Sequence, residues 1–141
     1  MRLAVTGSRQ HGHERRVFEA LDIIHAAEPV DVLISGHCPS TRYKPRSFDM
    51  ICEDWAHARG IPVDEYPADW DNIDAMPCRI EINARGRPYN KLAGMNRNHR
   101  MLMLGVPHLL AVGPIRGPGT EHCRSLALSR TFEIPIIDID L

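Results

Sequence analysis

A three-layer α/β domain, with about five parallel strands and helices on both faces, is the fold class that the sequence predicts. Three observations carry it. Short β-rich runs alternate with amphipathic helical segments in the order β-α-β-α-β-α-β-α-β, the pattern of a parallel sheet joined by crossover helices. The first four runs end at turns built on Gly or Pro. Hydrophobic residues make up 43% and aromatics only 6%, which suits one mostly aliphatic core in 141 residues.

The elements follow in order. Leu3-Ala4-Val5 is a short strand that ends at Thr6-Gly7-Ser8. From Glu14 to Ala27, Val17, Phe18, Leu21 and Ile24 recur at helical spacing, and Pro29 stops the helix. Val30–Ser35 is a second strand that ends at Gly36, and polar residues 37–46, with two prolines, form a loop insertion. Ser47 is the expected N-cap of a helix whose apolar face is Phe48, Ile51, Cys52 and Trp55, stopping at Gly60. Val63–Tyr66 is a third strand. Residues 67–94 form a long arm, with Arg79–Asn83 as a small hairpin segment. A short helix over Asn96–Leu104 is closed by Gly105 and Pro107, and His108–Val112 is a fourth strand. A Gly/Pro turn over 113–119, a helix over Thr120–Thr131 and a fifth strand over Ile134–Ile139 complete the chain. In such sheets ligands sit beyond the carboxyl ends of the strands, where the strand order reverses.

Charge is balanced, with 17 Lys+Arg against 18 Asp+Glu and a formal net charge of -1. Neither nucleic acid nor an anionic membrane is therefore an expected partner. No apolar window approaches the ~20 residues of a membrane span, and the N-terminal apolar run is too short for a signal peptide. A cytoplasmic location is expected. Cys38, Cys52, Cys78 and Cys123 include no C-x-x-C pair and read as free thiols. The histidines form no recognised metal pattern, so no metal and no cofactor is expected.

Two strand-end turns carry the chemistry. In Gly113–Glu121, Gly117 and Gly119 let backbone N–H groups approach an anion at a helix start, and Thr120 adds a hydroxyl. Thr6-Gly7-Ser8-Arg9 offers a tight turn with Ser8 and Arg9 as phosphate or carboxylate contacts. An ordinary turn without ligand is the alternative at both places. The P-loop fingerprint fails, because His13-Glu14 stands where Lys-Ser/Thr is required after Gly7 and Gly12. The dinucleotide fingerprint fails because His122 replaces its third glycine. Arg97 and Arg100 fall near the start of the short helix, where they oppose its dipole unless an anion binds. Asp49, Asp69 and Asp71 are acids near strand ends or helix starts, where caps are also common. Arg9, Arg97, Arg100 and Arg116 are expected to cluster around the glycine turns.

The ordered set of motifs resembles a known superfamily. It comprises Thr6-Gly7-Ser8-Arg9, Ser35-Gly36, Ser47-Phe48-Asp49 with Trp55-Ala56, and Gly60-Ile61-Pro62-Val63 with Pro67-Ala68-Asp69-Trp70. Arg97-Asn98 with Met101, and Gly117-Pro118-Gly119-Thr120, complete it. The set is similar to the SLOG superfamily, in particular its YspA/YpsA-related branch of small bacterial and phage proteins. That resemblance implies a single Rossmann-like nucleotide-binding domain over residues 1–141. Lonely-guy enzymes, which cleave the N-glycosidic bond of nucleoside 5′-monophosphates, and DprA-type proteins are similar in fold.

The lonely-guy pattern is Pro-Gly-Gly-x-Gly-Thr-x-x-Glu with an upstream Arg. By that likeness Gly117, Gly119 and Thr120 hold a phosphate and Arg97 acts at the reacting centre. The position three after Thr120 is Cys123 rather than Glu, and Glu121 lies about 200° around the helix from it. The expectation is a small nucleotide ligand bound by Gly7, Ser8, Arg9, Gly36, Asn98, Gly117, Gly119 and Thr120. Arg97, Glu121 and Asp49 are the expected catalytic groups if the glycosidic bond is cut. A non-catalytic sensor or sequestering protein for an ADP-ribose-type signalling nucleotide is the alternative. A homodimer is implied in either case.

Overall fold

The computed structural model describes residues 1–39 and 46–140, so residues 40–45 of the expected loop insertion lie outside the described residues. The chain runs β1 (Arg2–Thr6), α1 (Glu14–Ala27), β2 (Val32–Ser35), α2 (Phe48–Ala58), β3 (Val63–Glu65), β4 (Ile80–Ile82), β5 (Pro88–Asn90), α3 (Ala93–Gly105), β6 (Leu109–Val112), α4 (Pro118–Leu128) and β7 (Ile136–Asp138). Five strands form one sheet in the order β3-β2-β1-β6-β7, and every neighbouring pair is parallel. The strand order reverses between β1 and β6, whose registers align Thr6 with Val112.

Alternation along β1 divides the core. Leu3 and Val5 pack with Val17 and Leu21 of α1 and with Phe48 and Trp55 of α2. Ala4, between them, faces Met101 and Leu102 of α3 and Cys123 and Ala127 of α4. Each fully buried large aliphatic side chain contributes about 1.5–3 kcal/mol, and both faces of the sheet are covered. The predicted three-layer, Rossmann-like α/β architecture is the one observed. Among the described residues no helix is long and apolar enough to cross a membrane.

Local chemistry sets the helix ends. The Ser47 hydroxyl accepts the Met50 N–H at 3.1 Å, as the sequence predicts, and α2 is followed by Gly60 at φ 68°. Pro118 occupies the first helical turn of α4, so this helix opens two residues before Thr120 and ends at Leu128 rather than Thr131. β2 begins at Val32 rather than Val30, because the Val30 N–H is taken by His25 Nδ1 at 2.9 Å.

α3 departs further from expectation. It starts at Ala93, not Asn96, so Arg97 and Arg100 lie beyond its first turn and their opposition to the dipole is weak. The cause is Asn90, whose Oδ1 accepts the Leu92 N–H at 3.0 Å and the Arg79 N–H at 3.1 Å, launching the helix directly from the arm. Within the arm, β4 and β5 pair antiparallel, Ile80 with Asn90 and Ile82 with Pro88, and form a two-stranded sheet of their own.

Candidate functional site

A cavity of about 560 Å³ opens at the reversal of strand order, between the turns that follow β1 and β6. Of the expected site residues, Gly7, Ser8, Arg9, Asp49, Arg97, Gly117, Gly119 and Thr120 line it. Gly36, Asn98 and Glu121 are not among the lining residues, though Gly36 and Asn98 hydrogen-bond to Arg97, which is.

The β1 turn is fixed from two sides. Gly113 N–H donates to Thr6 O at 2.9 Å, and Phe48 N–H donates to Ser8 O at 2.9 Å. A β-carbon on Gly7 would stand 2.5 Å from the Phe48 ring. The absence of a side chain there is thus required by core packing. Ser8 Oγ accepts the Gln10 N–H at 3.1 Å, and the Arg9 guanidinium sits 5.3 Å from the centre of the Trp70 ring.

The turn after β6 is open. Gly117 is the N-cap of α4 and has no side chain to offer, and Pro118 has no N–H. The first helical bond runs from Glu121 N–H to Gly117 O at 3.0 Å. The amides of Gly119 and Thr120 therefore precede the hydrogen-bonded ladder and are free for an anion. Among the described residues, and apart from the adjoining backbone, no atom lies within 4 Å of where a β-carbon on Gly117 or Gly119 would be.

The floor is made by α2, α3 and the β2 turn. Asp49 is 5% exposed; its Oδ2 accepts the Cys38 N–H at 3.1 Å, and its Oδ1 has no hydrogen-bond partner among the described residues. Burial pushes the Asp49 carboxyl up to about 6, against the pull of Arg97 and of the Cys38 N–H. Arg97 donates through Nη1 to Gly36 O at 2.6 Å and through Nε to Asn98 Oδ1 at 3.0 Å. Asn98 in turn donates to Gly119 O at 3.1 Å, which couples Arg97 to the first turn of α4. Burial also raises the Cys38 thiol, with Asp49 adding to the effect.

The far wall comes from the arm, through Trp70, Arg79, Lys91 and Leu92. Trp70 belongs to the motif set, but Arg79 and Lys91 carry no sequence signal; only the hairpin brings them to the cavity. Arg100 donates to Pro67 O at 3.1 Å and Arg116 to Asp138 at 2.9 Å, so neither joins the expected arginine cluster at the cavity. Arg9 and Arg97 do line the cavity, with Arg79 and Lys91 opposite. Glu121 is exposed, with its carboxylate 3.8 Å from Arg116 Nη1.

No curated protein and no solved structure gives a match to the chain. A model of the YAcAr family, described as YspA, cpYpsA-related SLOG, matches residues 1–72. That stretch runs from β1 to just past Trp70 and includes the β1 turn, Gly36 and Asp49. It is slightly more than half of the 141 residues, and on it the chain belongs to the YspA, cpYpsA-related SLOG family.

Proposed function

We propose that the cavity binds a nucleotide or nucleotide-derived ligand, with a phosphate on the Gly119 and Thr120 amides at the start of α4. The observation that carries this reading is the uncovered glycine turn facing the cavity, where an anion can approach the backbone directly. Membership of a SLOG family supports it. Ser8 and Arg9 flank the same space and would hold further oxygens of the ligand. The protein would act in the cytoplasm as a homodimer; exposed Met103, Leu104 and Val106 at the end of α3 and Leu128 on α4 support an apolar contact there.

Cleavage of an N-glycosidic bond is the reaction this floor suits best. A carboxyl with a pKa of about 6 exchanges protons near neutral pH. In the reaction, water adds to the ribose C1′, the C1′–N bond breaks, and a proton passes to the leaving base. Asp49 would move the proton or steady the oxocarbenium-like centre, while Arg97 holds the ribose or phosphate. Glu121 is not among the residues that line the cavity and stands beside Arg116. Its position favours a second reading, a non-catalytic sensor for an ADP-ribose-type nucleotide.

Calorimetry against nucleoside 5′-monophosphates and ADP-ribose, with chromatography of the recovered ligand, tests both. Binding with base release is expected for the enzyme, and binding with intact ligand for the sensor. Absence of binding across the panel overturns both.

A further inference from the structure

We propose that His37, Glu53 and Glu65 form a binding site for a divalent transition-metal cation such as Zn²⁺, beside the cavity rather than within it. The three residues come from three elements: His37 follows β2, Glu53 lies in the middle of α2, and Glu65 ends β3. Parallel pairing of Ser35 with Glu65 brings the last of these alongside the β2 turn. His37 Nδ1 lies 2.9 and 3.1 Å from the two Glu53 oxygens and 3.5 Å from Glu65 Oε1. One donor atom from each residue falls within 4.8 Å of the others. Bonds of roughly 2.0–2.2 Å to nitrogen and oxygen put neighbouring ligands about 3.4 Å apart in a tetrahedron, so these spacings admit a cation with little movement of the backbone.

Electrostatics points the same way. One imidazole N–H faces three carboxylate oxygens and cannot satisfy them all. Glu53 is 2% exposed, and among the described residues neither glutamate is paired with Lys or Arg. With a neutral imidazole the cluster holds two negative charges, one of them buried. A divalent cation cancels both and uses the lone pair of His37. His37 and Glu65 are partly exposed, which leaves an entry path and room for a water at the open position.

The cation would also act on the cavity floor. The turn that carries His37 presents Gly36 O to Arg97 and the Cys38 N–H to Asp49. A ligand bond at His37 holds that turn between β2 and α2.

Titration of Zn²⁺ into chelator-treated full-length protein by calorimetry tests the site. One site per chain is expected, weakened at least about tenfold by Glu65→Gln and lost in His37→Ala. Glu65 is half exposed, so its variant folds even if changes at buried Glu53 do not. His13→Ala, on an exposed histidine elsewhere, should leave Zn²⁺ affinity unchanged. Absence of Zn²⁺ binding overturns the proposal, leaving His37 a protonated ion-pair centre. Binding of equal strength in the wild type, Glu65→Gln and His37→Ala overturns it as well, since the ion then sits elsewhere.

Discussion

Arg97 and Asp49 converge on one residue: a β-carbon on Gly36 would stand 2.5 Å from Arg97 Nη1 and 3.1 Å from Asp49 Oδ2. Gly36 is therefore the gap through which the guanidinium reaches the floor of the cavity. Gly36→Ala should displace the flexible end of Arg97 and keep the fold, at a cost of about 1–3 kcal/mol for overpacking. Ligand affinity should fall about tenfold, or about 1.4 kcal/mol. Denaturant melts and calorimetry on the same sample read the two effects separately.

Gly119 gives the opposite pattern. It sits in the first turn of α4 with open space where a β-carbon would go. Gly119→Ala should leave stability unchanged or raise it by up to about 1 kcal/mol, because alanine is the better helix former. The added methyl would project where the phosphate is proposed to lie, so nucleotide affinity should drop. Unaltered affinity in a stabilised variant would place the phosphate elsewhere.

Asp49 makes stability depend on pH in a set direction. Its carboxyl ordinarily titrates at 3.8 and is held at about 6 in the folded protein. The folded state thus keeps a proton that the unfolded state has released, and stability falls as pH rises from about 4 to about 6. A rise of about two units corresponds to about 3 kcal/mol as an upper figure. Glu53, also raised by burial, adds a slope of the same sign. Asp49→Asn should therefore reduce the slope without removing it, in urea titrations between pH 4 and 8. Arg97, the Cys38 N–H and His37 face Asp49 with the opposing influence.

Trp70 is held at the cavity by the arm and by α3. A β-carbon on Gly94 would lie 3.2 Å from its ring, and the Asn90 N–H donates to Trp70 O at 2.7 Å. Trp70→Ala should remove the platform under Arg9 and open the far wall. Ligand affinity is expected to fall about tenfold, while the melting midpoint moves little. A large loss of stability would mean that the ring supports the main core instead.

The sheet and its strand ends were legible because their signals are local. Val17, Leu21 and Ile24 mark α1 by spacing, and Ser47 caps α2 with its own hydroxyl. The start of α3 was not legible, since it depends on Asn90, whose side chain binds amides both upstream and downstream. In the sequence Gly7 and Gly36 show only as turn residues; their packing roles come from Phe48 and Arg97, distant in sequence. Arg100 and Arg116 carry the same charge as Arg97 yet turn to Pro67 O and Asp138, a choice that helix phase and nearby acceptors settle. The His37–Glu53–Glu65 group has no spacing to detect, because three elements supply one residue each.

The arm walls the cavity through Trp70, Arg79, Lys91 and Leu92, yet no residue between 67 and 92 belongs to either core cluster. On the proposed reading, the wall that would meet the ligand and the core that holds the sheet rest on different stretches of the chain. Changes to the length or charge of the arm would reshape that wall while leaving in place the sheet that presents the glycine turn.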